Sequence, residues 1–167
     1  MGSTISFKRP DGKDASGYLA KAPGGGPGVV MIQEWWGLSD QIKGLADRLA
    51  AEGFDVLAPD LYDGVVVPYH DTEAATKEMN SLDFIDATTQ TVRGAVQHLA
   101  KDGGKEAVAL LLCRSGKRSA LAAEAAAKAG FTQVFNVLEG FEGEIDERQH
   151  RGGSDGWRFH GLPWVQD

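Results

Sequence analysis

The stretch ALLLCRSGKRSALAAEAAAKAG, residues 109–130, carries the chain's only cysteine, Cys113, where an apolar run gives way to a helix-forming one. A loop between a strand end and a helix start points several backbone N–H groups inward, and the helix dipole adds positive potential. Gly116 permits tight curvature, while Arg114, Ser115, Lys117, Arg118 and Ser119 place cations and hydroxyls around the rim. Such surroundings stabilise a thiolate and can lower a cysteine pKa from about 8.5 into the range ~3.5–7.5. The same amide cradle suits an anion, or the persulfide that a thiolate forms on taking up sulfur. The plainer alternative is an inert cysteine buried at a strand end. A thiolate phosphatase needs its arginine about six positions after the cysteine, to close a phosphate-sized loop; here Arg118 comes one position too early. That chemistry is disfavoured.

A second group follows the apolar run VVMIQ. Glu34, in the stretch EWWGLSD, is a candidate for proton transfer with the thiol, or is simply a hydrogen-bonded loop carboxylate. Trp35 and Trp36 either line a pocket or pack against the tail. Asp60 and Asp63 with Glu34 offer carboxylates to a metal, but PDLYDG reads better as a strand-end turn, so no metal site is expected. Gly24 to Gly28 precede a strand rather than open a helix, which makes them a turn and not a phosphate loop. No cofactor is implied.

The elements that must hold these residues alternate. Strands are expected at 3–9 and 16–22 around PDGKD, then at 29–33, 54–62, 107–112 and 133–140. Helices are expected over QIKGLADRLAAEG, over 71–101 with a break near Ser81, and over 117–129. Ile42, Leu45, Ala46 and Leu49 mark the inner face of the first, with Ser39 or Asp40 as its cap and Gly53 as its stop. The predicted fold is one three-layer α/β domain over residues 1–167. Its sheet is mostly parallel with helices on both faces, and an antiparallel N-terminal hairpin lies at one edge. Sites in such sheets sit at the carboxyl ends of the strands, which selects loops 34–39, 59–70 and 113–118.

Composition bounds the partners. The chain has 167 residues, 42% hydrophobic and 25% charged, which suits a globular domain with a sizeable core. Its 17 basic and 24 acidic residues give a net charge of -7, which argues against nucleic acid. No apolar run approaches the roughly 18 residues of a membrane span, and the N-terminus lacks a signal-like apolar region. One cysteine excludes an internal disulfide. A cytoplasmic location is expected, and the oligomeric state is not indicated.

Two resemblances add to this. Residues 1 to about 109 resemble the dienelactone hydrolase family of the α/β-hydrolase superfamily, through GVVMIQEWWGLSDQIKGLADRLAAEGFDVLAPDLYDG and MNSLDFIDATTQTVRGAVQHLAKDG. The resemblance implies a strand order of 1-2-4-3-5-6, a cysteine nucleophile after the next strand, Glu34 near that thiol, and Trp35 as a contributor to the oxyanion hole. Residues from about 108 to 167 resemble the C-terminal part of a rhodanese, a thiosulfate sulfurtransferase, through CRSGKRS, NVLEGFEG and GWRFHGLPW. That implies sulfur carriage by Cys113, with residues 114–118 as its cradle. The chain therefore reads as a chimera, hydrolase-like over 1–109 and rhodanese-like over 110–167, and its Met-Gly-Ser start favours an engineered origin. The hydrolase triad's aspartate and histidine are not carried over; Asp146, Asp155, His150 and His160 follow Cys113 as local substitutes. The expected activity is sulfur transfer from a small anionic donor. Hydrolysis of a small ester or lactone is the alternative, and a folded scaffold without activity the third possibility.

Overall fold

The computed structural model describes residues 1–103, 109–128 and 130–162. The alternating stretches around PDGKD pair as an antiparallel hairpin, β1 (Ser3–Lys8) and β2 (Asp14–Ala20), with Ser3 opposite Leu19 and Lys8 opposite Asp14. The apolar run after the glycine-rich turn forms β3 (Gly28–Met31). Helix α1 (Asp40–Ala51) follows and buries Ile42, Ala46 and Ala50, four residues apart on one face. Ser39 occupies its N-cap without a side-chain cap bond, and Asp40 in the first turn complements the helix dipole. Gly53, at φ 97°, takes the left-handed conformation that ends the helix cheaply only for glycine. Strand β4 (Asp55–Pro59) is buried along its whole length.

The helical stretch breaks where expected. Helix α2 (Thr72–Ser81) is capped by Asp71, whose carboxylate accepts from Ala74 N–H at 3.0 Å. Asp83 then caps a new start, α3 (Phe84–Asp86), which passes through a π-helical turn over Ala87–Val92 into α4 (Arg93–Gly103). The π turn was not anticipated from periodicity. The Thr88 and Thr89 hydroxyls donate to the carbonyls of Phe84 and Ile85, each at 2.7 Å, a local competition that favours irregular helix. Strand β5 covers Ala109–Leu112, and positions 107 and 108 of the expected strand lie outside the described residues. Helix α5 (Lys117–Lys128) and the brief strand β6 (Val134–Asn136) complete the series.

The sheet runs β1-β2-β4-β3-β5-β6, the order expected, antiparallel through β1, β2 and β4 and parallel through β4, β3, β5 and β6. One face carries Val30, Leu57 and Leu111 against Val92, Val96, Ala122 and Ala126 of the helices. The opposite face packs Val29, Val56 and Ala58 under α1. Met31 of β3 stands beside Leu112 of β5, so the loops that carry Glu34 and Cys113 leave neighbouring strands at the same, carboxyl, end of the sheet.

Candidate functional site around Cys113

Cys113 follows the last residue of β5 and is 8% exposed. The chain turns at Gly116, φ 80°, and enters α5 at Lys117, so the first amides of the helix face back over the strand end. Burial opposes ionisation of the thiol. The Ser119 hydroxyl and the backbone N–H groups of Ser119, Ser115 and Arg118 outweigh that cost and hold the thiol below its ordinary value. Ser119 is fully buried; its Oγ donates to Sγ at 3.2 Å and also lies 3.1 Å from the Gly116 carbonyl. Its single proton can serve only one of these acceptors at a time, and a thiolate is the stronger.

The loop is clamped from behind. Phe141 N–H donates to the Cys113 carbonyl at 2.9 Å, and the N–H groups of Glu142 and Gly143 donate to the Arg114 carbonyl at 2.8 and 3.2 Å. Gly140 fits so tightly that a Cβ there would stand 2.3 Å from the Cys113 oxygen and 2.5 Å from the Gly116 nitrogen. Gly140 O in turn accepts from Trp157 N–H at 2.9 Å.

Glu34 has part of its side chain open to water, yet protein crowds the rest. Desolvation first, and the like charge of Glu142 second, push its carboxyl above the ordinary value, while Arg114 and Arg118 partly offset them. Tyr62, from the loop after β4, is buried; desolvation and Glu78 raise its phenol and Arg118 lowers it. Arg118 therefore bears on residues of two other loops, and 34–39, 59–70 and 113–118 converge on one region. Trp35 and Trp36 lie 5.2 Å apart, and Trp36 lies 5.4 Å from Tyr69, so they form an aromatic wall with loop 59–70. Trp35 Nε1, Gln33 Nε2 and Asn136 Oδ1 are buried without a hydrogen-bond partner among the described residues.

Some expected residues are used elsewhere. Lys117 Nζ reaches Glu144 Oε1 at 3.0 Å and is largely exposed. Asp60 closes its own turn, accepting from Tyr62 and Gly64 N–H at 3.0 and 2.7 Å. His160 Nε2 pairs with Glu139 Oε2 at 2.9 Å, and the backbone N–H of His150 donates to Asp146 Oδ1 at 2.8 Å. Asp155 accepts from Glu144 N–H at 2.9 Å. Among the described residues no three or more His, Cys, Asp or Glu side chains are grouped to hold a metal. No described helix is long and apolar enough to cross a membrane. Sequence reasoning did not single out Tyr62 or Glu142. The first carried a positional signal, lying in a flagged strand-end loop; the second carried none.

A mixed six-stranded sheet with a cysteine at the carboxyl end of an inner parallel strand is the architecture of an α/β-hydrolase-like protein. The dienelactone hydrolase family model matches residues 15–136, well over half of the chain, and the chain belongs to that family. The match passes through β5, the cysteine loop, α5 and β6, crossing the junction that the two resemblances place near residue 109. Protein usf of Aquifex pyrophilus is 46% identical over 67 residues, covering 38% of this chain and 29% of that protein. A protein of Aquifex aeolicus (strain VF5) named "Putative carboxymethylenebutenolidase" is 37% identical over 94 residues, covering 51% and 40% respectively. The solved structure titled m3DLH is 25% identical with a TM-score of 0.52, covering 73% of this chain and 54% of its own. The chain thus spans less than half the length of these curated relatives and about half of that structure.

Proposed function

We propose that Cys113 is the nucleophile of a hydrolase acting on small esters or lactones. One observation supports this reading most: a thiol at the end of β5, in a chain of this family, receives the Ser119 hydroxyl and three backbone N–H groups. In the proposed reaction Sγ attacks the acyl carbon and the carbonyl π electrons move to oxygen. Collapse of that oxyanion expels the alkoxide, or opens the lactone ring, and leaves a thioester. Glu34 supplies the alkoxide with a proton. Its ionised carboxylate then takes a proton from water, whose oxygen displaces the thiolate and completes hydrolysis. The opposed shifts, thiol down and carboxyl up, bring donor and acceptor closer in proton affinity, as an acid–base pair requires. The name of the Aquifex aeolicus relative denotes action on a butenolide bearing a carboxymethylene group, and Arg114 and Arg118 suit such an anionic substituent.

The test compares wild type with Cys113→Ala on p-nitrophenyl acetate and on a small enol lactone. Turnover should be lost with the thiol; equal turnover by both would reject the nucleophile.

The amide cradle also favours a second reading, sulfur transfer. Here the thiolate attacks the sulfane sulfur of thiosulfate, the S–S bond breaks, and sulfite leaves. The terminal sulfur of the resulting persulfide would then pass to cyanide as thiocyanate, restoring the thiolate. Cys113-dependent thiocyanate formation without esterase activity would select this reading. Neither activity, with cooperative unfolding intact, would select an inactive scaffold.

A further inference from the structure

Residues 137–162 lie beyond the family match, yet part of their backbone lies directly against the cysteine loop. After β6 the chain makes a turn that Gly140 N–H closes onto the Val137 carbonyl at 3.1 Å. The third residue of that turn is Glu139, at φ 66°. Glycine takes such a position most cheaply, so a glutamate there carries a conformational cost. Its carboxylate has two partners that offset it. Glu139 Oε2 accepts from Gly156 N–H at 3.0 Å and lies 2.9 Å from His160 Nε2. These contacts hold the carboxyl below its ordinary value.

The carboxylate joins two layers of chain. The inner layer, 139–143, seats the loop: Phe141 N–H holds the Cys113 carbonyl, and a Cβ added at Gly116 would stand 3.0 Å from Glu139 N and 3.2 Å from Gly140 N. The outer layer, 156–160, backs the inner one. Trp157 N–H donates to Gly140 O at 2.9 Å and Arg158 N–H to Phe141 O at 3.2 Å, while Arg158 Nη1 lies 3.6 Å from Glu142 Oε1. Gly156 sits so close to Gly143 that a Cβ there would stand 2.4 Å from its nitrogen. We propose that Glu139 is a positioning residue for the nucleophile: by gripping Gly156 N–H and His160, its carboxylate keeps the turn at Gly140 seated on Gly116 and so keeps the Ser119 hydroxyl and the loop amides on Sγ. Its catalytic use rests on the reading of Cys113 as the nucleophile of a hydrolase. Gly116 is the pivot. Its carbonyl lies 3.1 Å from the same Ser119 Oγ that reaches Sγ, and the N–H groups that reach the thiol come from Ser115, Arg118 and Ser119 around it. A turn that lifted from Gly116 would let these donors drift, and hydrogen bonds weaken steeply with misalignment.

The experiment titrates Cys113 in the full chain through the pH dependence of iodoacetamide alkylation, with hydrogen exchange of the Phe141 amide followed by NMR. Glu139→Gly suits the left-handed turn and removes the carboxylate, so the turn is kept while the grip is lost. Its thiol midpoint should rise by about half a unit to one unit, and exchange at Phe141 should quicken roughly tenfold. Glu139→Gln keeps an oxygen for Gly156 N–H and should return the midpoint most of the way to wild type. Should Glu139→Gly fold poorly, His160→Ala stands in for it: the side chain is half-exposed, its loss removes one of the two partners, and the midpoint should again rise. An unmoved midpoint in Glu139→Gly, or in His160→Ala standing in for it, would overturn the proposal whatever the exchange rate does, because a strap that serves the fold alone leaves the thiol unchanged. A midpoint that falls in both Glu139 variants would overturn it too, as the sign of a bare charge acting on the thiol. Either result leaves Cys113-dependent turnover, and the hydrolase reading, standing. Absence of that turnover in wild type would instead reject the hydrolase reading and the catalytic use of Glu139 with it.

Discussion

At Cys113 burial works against the thiolate, and four donors work for it. Ser119 is the donor a substitution can remove cleanly. A hydrogen bond to a charged acceptor is worth about 1.5–3 kcal/mol, and one pKa unit corresponds to about 1.4 kcal/mol. Ser119→Ala should therefore move the pH profile of iodoacetamide alkylation upward by about one unit, with the amide bonds retaining the rest; an unmoved profile would show that the hydroxyl serves Gly116 alone. Glu34 follows the opposite linkage. Its folded-state affinity for a proton exceeds the unfolded one, so its stabilising contribution is complete below the unfolded value, near 4.5, and is lost as pH rises through the folded value. Glu34→Gln should consequently gain stability relative to wild type between mildly acidic and neutral pH, and show no gain below pH about 4, as read by thermal unfolding across pH. The Cys113 loop was legible in the sequence because its chemistry is local: glycine, cations and hydroxyls within seven consecutive residues. Glu142 and Tyr62 were not, because the effect of Glu142 on Glu34, and of Arg118 on Tyr62, exists only once distant segments meet.

Among the elements, the strand–loop–helix unit of β5 and α5 depends on a partner that no periodic pattern announces. Gly140 is at φ 68° and in backbone contact with Cys113 and Gly116, so a methyl group there meets both strain and atoms that cannot yield. Gly140→Ala should cost roughly 2–4 kcal/mol and speed alkylation of Cys113 by loosening the loop. Gly116→Ala should cost less, since its nearest contact would be 3.0 Å, although φ 80° still carries a left-handed penalty of about 1–2 kcal/mol. Chemical denaturation with parallel alkylation rates checks both. Strands β3 and β4 were read from short apolar runs and helix α1 from its four-residue spacing, and both readings hold. The π turn over 87–92 escaped that logic because it depends on threonine hydroxyls satisfying carbonyls, not on the spacing of apolar residues. Strand β6 ends early because the chain turns at Val137–Gly140 to reach the cysteine loop.

For the molecule as a whole, the alternation of strands and helices gave a mostly parallel sheet, while the strand order came from the hydrolase resemblance and is the order observed. The sheet's two faces predict unequal tolerance to truncation. Leu111 is fully buried between the sheet and its helices, and Leu111→Ala should cost about 2–5 kcal/mol. Its neighbour Leu112 is 37% exposed on the opposite face, and Leu112→Ala should cost well under half as much by equilibrium unfolding. Family membership extends over residues 15–136, whereas the wall of the site continues to Arg158, so the sheet and its chemistry do not end at the same residue. The two resemblances placed a junction near residue 109. One sheet includes strands from both sides of that point, and the tail reaches the Cys113 carbonyl through Phe141 N–H.

The central claim is that Cys113 attacks an acyl carbon. Its most direct measurement is intact-protein mass spectrometry of the chain quenched in acid during turnover of p-nitrophenyl acetate, beside Cys113→Ala. The proposed mechanism predicts one acetyl group on wild type, located on Cys113 and decaying with the rate of product release, and none on the variant. Acetylation that is absent, or that persists unchanged in Cys113→Ala while hydrolysis continues, would contradict it.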